Sequence, residues 1–227
     1  MCGRFVLSSP VDEMQEIFGF PEMPNLAPRY NIAPTTDIAA IRRGEKGGPH
    51  LFTARWGLIP SWASAPDIST HMFNARSETV REKPAFRAAF ESRRCLIPAN
   101  GFYEWEKADS RTRQPWFIHV RGRPLIAFAG LWESWTSPEG EVIESCTILT
   151  VAAAMSIAFI HPRMPVILQE ENYGRWLDGS AGEEILTALP DAEITRHRVS
   201  QRVGNVHQDD ADLLAPAQAL PTQTSLF

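Results

Sequence analysis

The fold of this chain is decided by residues 94–153, which read RCLIPANGFYEWEKADSRTRQPWFIHVRGRPLIAFAGLWESWTSPEGEVIESCTILTVAA. This stretch contains five apolar, β-prone segments, at 94–98, 101–107, 114–120, 124–135 and 142–153. The turn sequences RGR at 121–123 and SPEG at 137–140 separate several of them. Consecutive strands joined by short turns are typical of an antiparallel meander, so we expect a mostly antiparallel sheet at the centre of the molecule.

The sequence on either side predicts further strands and short helices. The expected elements are strands at 37–42, 51–57 and 164–168, and helices at 10–18, 84–92, 170–177 and 182–189. Ser9 is the candidate N-cap of the first helix, with Pro10 at its first helical position. No repeat or long linker divides the chain. We predict one α+β domain at 2–208, with a curved, mostly antiparallel, barrel-like β-sheet and a few short peripheral helices, followed by a flexible C-terminal tail at 209–227.

Charge is unevenly distributed along the chain. The 227 residues carry 22 Lys and Arg against 27 Asp and Glu, and the formal net charge of −5 argues against a broadly basic nucleic-acid coat or a membrane-surface binder. Between residues 72 and 94, however, six cations outnumber three anions, whereas between 170 and 193 seven anions outnumber one cation. The acidic C-terminal helices therefore set the overall sign, and the composition still allows a local basic groove around Arg76.

Cysteine usage and hydropathy indicate a reducing compartment. No stretch approaches the ~20 consecutive apolar residues that span a bilayer, and the N-terminus lacks the apolar core of a secretory signal. Cys2, Cys95 and Cys146 are too few and too scattered for a disulfide framework, and no Cys-x-x-Cys pair suggests zinc. We expect a cytoplasmic protein with no metal, no cofactor and no membrane partner, in which Cys95 and Cys146 are inert core residues.

Cys2 is the first candidate for chemistry. Methionine aminopeptidase removes Met1 when the next side chain is small, and the mature chain would then begin with an α-amine and a thiol on one residue. Both groups have reactive fractions near neutral pH. The amine condenses with an aldehyde to an imine, and the thiol then closes a thiazolidine; alternatively, the amine serves as the base for its own thiol, as in N-terminal nucleophile hydrolases. A second-position cysteine can also be accidental.

Three short polar clusters accompany Cys2. They read FNARSET at 73–79, GFYEWE at 101–106 and IHPRMP at 160–165. In the second cluster, the strand period of two places Glu104 and Glu106 on one face, where they are either functional or merely solvated. The first cluster is either functional or a hydrogen-bonded turn, and His161 before a proline is either functional or structural.

Seven motifs occur together and in a fixed order. They are Met1-Cys2-Gly3-Arg4-Phe5, Arg29-Tyr30-Asn31-Ile32-Ala33-Pro34, Trp56-Gly57-Leu58-Ile59-Pro60, Asn74-Ala75-Arg76-Ser77-Glu78-Thr79, Gly101-Phe102-Tyr103-Glu104-Trp105, Thr150 and His161-Pro162-Arg163-Met164-Pro165. Over about residues 2–207 this series closely resembles the SOS response-associated peptidase (SRAP) family, whose members sense abasic sites in DNA. The last residues of the chain, from about Asp209, lie outside the resemblance.

The resemblance implies a covalent mechanism. Family members crosslink to an abasic site in single-stranded DNA through the mature N-terminal cysteine, here Cys2, and form a thiazolidine. Matching by motif assigns the opening of the abasic sugar to its aldehyde to Glu104 and His161, which are both able to move protons near neutral pH. Asn74, which cannot titrate, would orient the amine or a sugar oxygen.

The resemblance also implies the contacts to DNA. Arg4 and Arg76 would hold the phosphates flanking the lesion, and Thr150 would hydrogen-bond to sugar or phosphate. Trp62, in the loop that follows the Trp56 motif, would either stack on a base beside the lesion or pack on the sheet edge. Trp56 itself is expected in the core. The implied protein is a monomer in the cytoplasm, associated with the nucleoid when bound to DNA.

Two other functions remain open from the sequence. One is a cysteine peptidase or amidohydrolase using much the same residues, with autoproteolysis or a lyase-type step as its activity. It would need an oxyanion hole in addition to the thiol and a base, and the sequence shows no convincing motif for one. The other is a non-enzymatic module that binds single-stranded DNA through Arg76 and its basic neighbours, in which Cys2 is replaceable.

Overall fold

The computed structural model describes residues 2–106 and 113–217. Within these ranges, the strands are β1 Phe5–Leu7, β2 Arg29–Ile32, β3 Asp37–Arg43, β4 Pro49–Trp56, β5 Asn74–Arg76, β6 Arg94–Ala99, β7 Gly101–Glu106, β8 Gln114–Val120, β9 Ile126–Thr136, β10 Val142–Ala152, β11 Arg163–Pro165 and β12 Ile194–Arg198. The α-helices in the same ranges are α1 Val11–Phe18, α2 Arg87–Ser92, α3 Met155–Ala158 and α4 Tyr173–Asp178. The central strands predicted from the sequence are all present, except that residue 107 lies outside the described residues.

Five strands close into a small barrel. The path runs β4-β3-β6-β9-β10 through antiparallel pairs, and β10 returns to pair with β4 in parallel. The closing pairs are Ser145 with Arg55 and Cys146 with Trp56. The predicted α+β domain with a curved, mostly antiparallel, barrel-like sheet is therefore confirmed.

A second sheet has the strand order β12-β8-β7-β1-β2 and is antiparallel throughout. In it β1 lies between β7 and β2, so the N-terminal residues run directly beside Glu104 on β7. The register pairs Phe5 with Phe102, and the Tyr103 amide donates to the Arg4 carbonyl over 2.9 Å.

An aromatic cluster joins the barrel to the second sheet. The Phe5 ring lies 5.1 Å from the Trp56 ring and 5.9 Å from Phe128, and Phe102 approaches Phe128 at 6.2 Å, all edge-on. All four side chains are fully buried, which confirms the core assignment of Trp56. Because edge-on pairs fix relative ring orientation, this cluster locks β1 and β7 against the barrel wall.

The C-terminal half of β10 gathers three of the sequence motifs. On one edge it pairs in parallel with β5, which begins at Asn74, and on the other edge it pairs antiparallel with β11, which begins at Arg163. Thr150 lies between the two, opposite Arg76 and Pro165. Residues far apart in sequence are therefore brought to one end of a single strand.

The helices are short and peripheral, with two departures from prediction. Pro10 is the N-cap of α1, not its first helical residue, and Ser9 makes no cap hydrogen bond. The predicted acidic helix at 182–189 is only a single 3-10 turn at Glu183–Ile185, which ends at Leu186 because the backbone there leaves the helical conformation. No helix of the described ranges is long and apolar enough to cross a membrane.

The predicted tail boundary at residue 208 is wrong for residues 209–217. The Asp209 carboxylate accepts hydrogen bonds from the backbone amides of Tyr30 and Asn31, the second over 2.9 Å. Leu213 is fully buried, and Pro216 bridges to Val199. Because the segment buries an apolar anchor and satisfies a sheet edge, it is part of the domain. Residues 218–227 lie outside the described residues.

Leu213→Ala is expected to lower the free energy of unfolding by about 2–5 kcal/mol, because it leaves a cavity in a small cluster of Val6, Tyr103 and Phe117. Urea titration with the neighbouring Asp212→Ala as a matched control measures the difference. Asp212 is exposed, so its removal is expected to change stability by less than about 0.5 kcal/mol. Equal stabilities for both variants would show that the segment is not anchored.

Candidate active site

Cys2 lies three residues before the start of β1 and is fully buried against the core. Its carbonyl accepts a hydrogen bond of 2.7 Å from Asn74 Nδ2, and its Sγ lies 3.9 Å from the Arg4 carbonyl. The thiol is thus held in a pocket of the domain and is not a freely exposed N-terminal side chain. Met1 lies outside the described residues.

The two polar atoms of the Asn74 side chain, at the start of β5, differ in their hydrogen bonding. Its Nδ2 donates to the Cys2 carbonyl, which fixes the orientation of the amide because only the nitrogen can donate. Its Oδ1 is buried and has no hydrogen-bond partner within the described ranges. A buried, unsatisfied amide oxygen is costly, so this atom is placed to accept from a donor that enters the pocket.

Glu104 and His161 face each other across the same pocket. Glu104 is 4% exposed on β7, and its Oε1 lies 3.9 Å from His161 Nδ1. Burial raises the pKa of the Glu104 carboxyl, and the charge of His161 opposes that rise. The carboxyl is therefore buried beside an ionisable imidazole and is not a solvated surface group, and its raised pKa makes it a better proton acceptor than an exposed glutamate.

The backbone after His161 sets its protonation geometry. Nδ1 lies 3.0 Å from the Arg163 amide and 3.1 Å from the Arg163 carbonyl. Because a backbone amide can only donate, Nδ1 of the neutral ring accepts from it, and the proton is carried on Nε2.

The environment of Cys2 keeps its thiol protonated. Burial raises the pKa of the Cys2 thiol, and the negative charge of Glu104 raises it further. A protonated thiol is a weak nucleophile, so any reaction that begins at this residue is favoured to begin at its amine. Glu104 therefore lies close enough to Cys2 for its charge to raise the pKa of the thiol.

Thr150 is in contact with Arg163, a residue for which the sequence by itself predicts no role. Its hydroxyl is fully buried, donates to the Ala75 carbonyl over 3.3 Å, and accepts from Arg163 Nη2 over 3.3 Å. The Arg163 guanidinium also makes a two-pronged pair with Glu78, at 2.6 and 2.8 Å. Thr150 therefore supports Arg163, and a direct contact to DNA would require its hydroxyl to change partners.

The other three residues predicted to contact DNA differ in exposure. Arg4 is half-buried with its guanidinium 5.9 Å from the Trp105 ring centre, and burial lowers the pKa of that guanidinium. Arg76 is exposed on β5. Trp62 is 61% exposed in the loop after β4, so it does not pack on the sheet edge.

The run of cations between 72 and 94 does not form one basic groove. Arg94 is buried between the rings of Phe90 and Trp176. Arg81 and Arg93 pair with carboxylates at 2.8 Å each. Within the part of the chain that the structure describes, the exposed cations of this run without an ion pair are Arg76, Lys83 and Arg87. The run therefore contributes three separate surface charges and not six.

The structure thus brings Cys2, Asn74, Glu104 and His161 together in one pocket, with Arg163 at its side. No group of three or more potential metal ligands occurs among residues 2–106 and 113–217. A larger groove of about 1200 Å³, lined in part by Arg42, Trp132 and Glu144, includes none of the predicted site residues.

Comparisons of the sequence with known proteins match members of one family. The family model described as SOS response associated peptidase (SRAP) matches residues 1–206. The abasic site processing protein YoqW of Bacillus subtilis is 39% identical over 222 residues, which cover 94% of this chain and 99% of that protein. The abasic site processing protein HMCES of Rattus norvegicus is 30% identical over 272 residues, covering 97% of this chain and 77% of that protein.

Solved structures share the fold. A protein of Bacteroides thetaiotaomicron superposes with a TM-score of 0.85 at 22% identity, covering 96% of this chain and all of that one. A protein of Bordetella bronchiseptica gives a TM-score of 0.74 at 27% identity, covering 88% of this chain and all of that one. The two-sheet architecture is therefore shared by proteins of low sequence identity.

Proposed function

Because the chain belongs to the SOS response associated peptidase (SRAP) family, we propose that it processes abasic sites in single-stranded DNA through a covalent thiazolidine link at Cys2. The observation that carries the proposal is the convergence of the buried Cys2 side chain, an amide oxygen of Asn74 without a hydrogen-bond partner in the described ranges and a carboxyl–imidazole pair. All four side chains come from one chain, which supports the expectation that a monomer suffices.

The proposed reaction begins once removal of Met1 has freed the Cys2 amine. An abasic deoxyribose is mostly a closed hemiacetal, and its opening exposes an aldehyde at C1′. The amine adds to this carbon, and the resulting carbinolamine loses water to give an imine. The Cys2 sulfur then adds to the same carbon, while the thiol proton passes to the nitrogen. One aldehyde and one aminothiol give one thiazolidine and one water.

Each step moves a proton, and Glu104 and His161 are placed to carry it. The pKa of the Glu104 carboxyl is raised by burial, which suits a group that both accepts and returns a proton during the reaction. Asn74 Oδ1 accepts from the amine or from a sugar hydroxyl, which orients that group and satisfies the amide oxygen. Because the thiol is held protonated, the amine attacks first and the sulfur closes the ring.

Phosphate binding falls to arginines around the pocket. Arg76 is exposed at the end of β5, and Arg4 lies two residues after Cys2. Arg163 is held by Glu78 and Thr150, so its guanidinium is oriented before DNA arrives. A few such contacts suffice for a protein that then bonds covalently, and they are compatible with a net charge of −5.

Peptide hydrolysis fits this geometry less well. Hydrolysis of an amide needs donors aimed at the carbonyl oxygen of the bond that breaks. The side-chain amide beside the thiol, Asn74 Nδ2, already donates to the carbonyl of Cys2 itself. The raised pKa of the Cys2 thiol also disfavours the thiolate that a cysteine peptidase uses.

The test is a crosslinking assay. Purified protein is mixed with a single-stranded oligonucleotide that carries one abasic site, and the products are separated on a denaturing gel after heating. We expect a heat-stable shifted band that is absent with the undamaged oligonucleotide. Mass spectrometry of the crosslinked N-terminal peptide should show the mass of the sugar fragment added and one water lost. If the oligonucleotide with the abasic site gives no heat-stable shifted band, the covalent proposal is disproved.

Trp62→Ala is expected to weaken noncovalent binding of single-stranded DNA by about 5- to 100-fold, because an exposed indole stacks on a base without regard to sequence. Fluorescence anisotropy with an undamaged oligothymidine measures this affinity. The thermal midpoint should stay unchanged, since the side chain makes little buried contact. The opposite pattern, a lower midpoint with unchanged affinity, would instead assign Trp62 to packing.

A further inference from the structure

The surface beside the Glu104–His161 pair carries an aromatic and basic patch. Its members are Trp116, Phe159, Arg196 and Arg198, which we call the Phe159 platform. The Phe159 ring meets the Trp116 ring edge-on at 5.6 Å. The Arg196 guanidinium lies 5.4 Å from the centre of the Phe159 ring, and that of Arg198 lies 5.2 Å from the centre of the Trp116 ring.

We propose that the Phe159 platform is a stacking surface for an unpaired base of the DNA strand that flanks the abasic site. This inference rests on the proposed function and adds to it the course of the bound strand. The mechanism uses none of the four platform residues, and the sequence motifs singled out none of them.

The strand register connects the platform to the pocket. Glu104 on β7 is directly opposite Trp116 on β8, and Trp116 is directly opposite Arg198 on β12. Directly opposite residues of antiparallel strands project to the same face, so these side chains form one row across the second sheet. Two strand spacings amount to about 10 Å, which places Arg198 one short step from the reacting residues. Phe159 closes the row from the side, since it precedes His161 by two positions.

Exposure supports a role in binding. Phe159 is 50% exposed although it is a large aromatic residue, and Met155 at the start of α3, which Phe159 directly follows, is 85% exposed. Exposed aromatic rings flanked by arginines are the usual elements of sites that bind single-stranded nucleic acid without sequence preference. Stacking on the free face of Phe159 would bury the ring, while Arg196 and Arg198 meet the phosphates on either side.

The charges of the platform favour a nucleic acid over a protein partner. The centres of protein interfaces are depleted of charged residues, whereas here two guanidiniums lie directly on the aromatic rings. Two carboxylates lie nearby. Glu106 accepts from Trp116 Nε1 over 3.0 Å, and Asp191 accepts from the Ser156 amide over 2.7 Å. That hydrogen bond and the nearby Arg196 guanidinium both lower the pKa of the Asp191 carboxyl, but neither Arg196 nor Arg198 forms an ion pair within the described residues. Both guanidiniums therefore still have donors for an anionic ligand.

The first measurement is noncovalent affinity for an undamaged oligothymidine by fluorescence anisotropy. Phe159→Ala is expected to weaken binding about 5- to 20-fold, and Phe159→Trp is expected to retain it, because either ring provides a stacking face. Arg196→Gln should lower the slope of log affinity against log salt by about 1. Val142→Ala is the matched control, since Val142 is 61% exposed at the far end of β10. Unchanged affinity for Phe159→Ala would overturn the proposal.

A second measurement separates stacking from an indirect effect on His161. Two oligonucleotides carry the abasic site at either the 5′ or the 3′ end, so that the flanking strand leaves the pocket in opposite directions. Phe159→Ala should raise the half-saturating concentration for one of them only, with an unchanged crosslinking rate at saturation. An equal effect on both, or a slower rate at saturation, would contradict the proposal. If the wild-type protein binds the oligothymidine but never crosslinks, the proposed function is disproved. The effect of Phe159→Ala on the noncovalent affinity still tests the Phe159 platform in that case.

Discussion

Cys2→Ser abolishes the heat-stable crosslink while leaving the fold and the noncovalent affinity for single-stranded DNA intact. Serine preserves the size of the side chain and the free α-amine, so an imine with the C1′ aldehyde still forms. The hydroxyl is a much weaker nucleophile than a thiol, and the ring that it would close reverts readily. Loss of product is therefore expected to be complete on a heated denaturing gel.

Borohydride trapping sharpens this prediction. Reduction during incubation should capture the imine formed by Cys2→Ser, whereas a variant with an extra residue ahead of Cys2 should give no trapped product, because its amine is displaced. Cys146→Ala is the control, since Cys146 is buried in the barrel and has no part in the pocket. A heat-stable crosslink from Cys2→Ser at the wild-type level would rule out the thiazolidine.

Glu104→Gln slows crosslinking at saturating DNA by about 10²- to 10⁴-fold, the range by which a positioned acid–base group accelerates a reaction. Glutamine keeps the shape and the acceptor oxygen of the side chain but cannot transfer a proton. Because the replaced carboxyl is buried with a raised pKa, its loss removes a desolvated charge and should not lower stability. The measurements are single-turnover rates with thermal melts of the same samples.

The crosslinking rate of the wild-type protein is expected to change with pH in a defined direction. Below its pKa the Glu104 carboxyl is protonated and cannot accept the proton of the amine, so the wild-type rate should rise as pH increases through that pKa. Burial raises the pKa, and this limb is therefore expected above the ordinary glutamate value of about 4.3. The limb attributable to Glu104 should be missing in Glu104→Gln.

Glu106→Gln is the matched control for this variant. Glu106 lies two positions along the same strand, and glutamine retains an acceptor for Trp116 Nε1. Its crosslinking rate at saturating DNA should stay within about twofold of wild type, since a half-exposed carboxylate outside the pocket moves no proton in the reaction. Equal losses in both variants, or wild-type activity in Glu104→Gln, would show that Glu104 is not the acid–base group.

The local sequence predicted most of the strands and the chemistry of single residues. Apolar segments separated by turn sequences identified the central strands because strand formation depends on near neighbours. Cys2 stood out because its reactivity follows from its position in the chain. The local sequence did not predict where the acidic segment at 182–189 leaves the helical conformation, which is at Leu186 after a single turn.

The tertiary structure decided which of these residues meet. Only the parallel return of β10 to β4 closes the barrel, and only the insertion of β1 beside β7 brings Cys2 next to Glu104. The pairing of Arg163 with Glu78 joins residues 85 positions apart, and the packing of residues 209–217 depends on a distant strand edge.

The same contrast holds for charge and burial. The cations around Arg76 form one cluster in the sequence, yet the fold buries Arg94 and pairs Arg81 and Arg93 with carboxylates. Secondary structure and intrinsic reactivity are properties of short segments, so the sequence by itself determined them. The contact partners, the burial and the pKa values of these residues depend on which surfaces the whole chain packs together around one core. Only the tertiary structure therefore determines them.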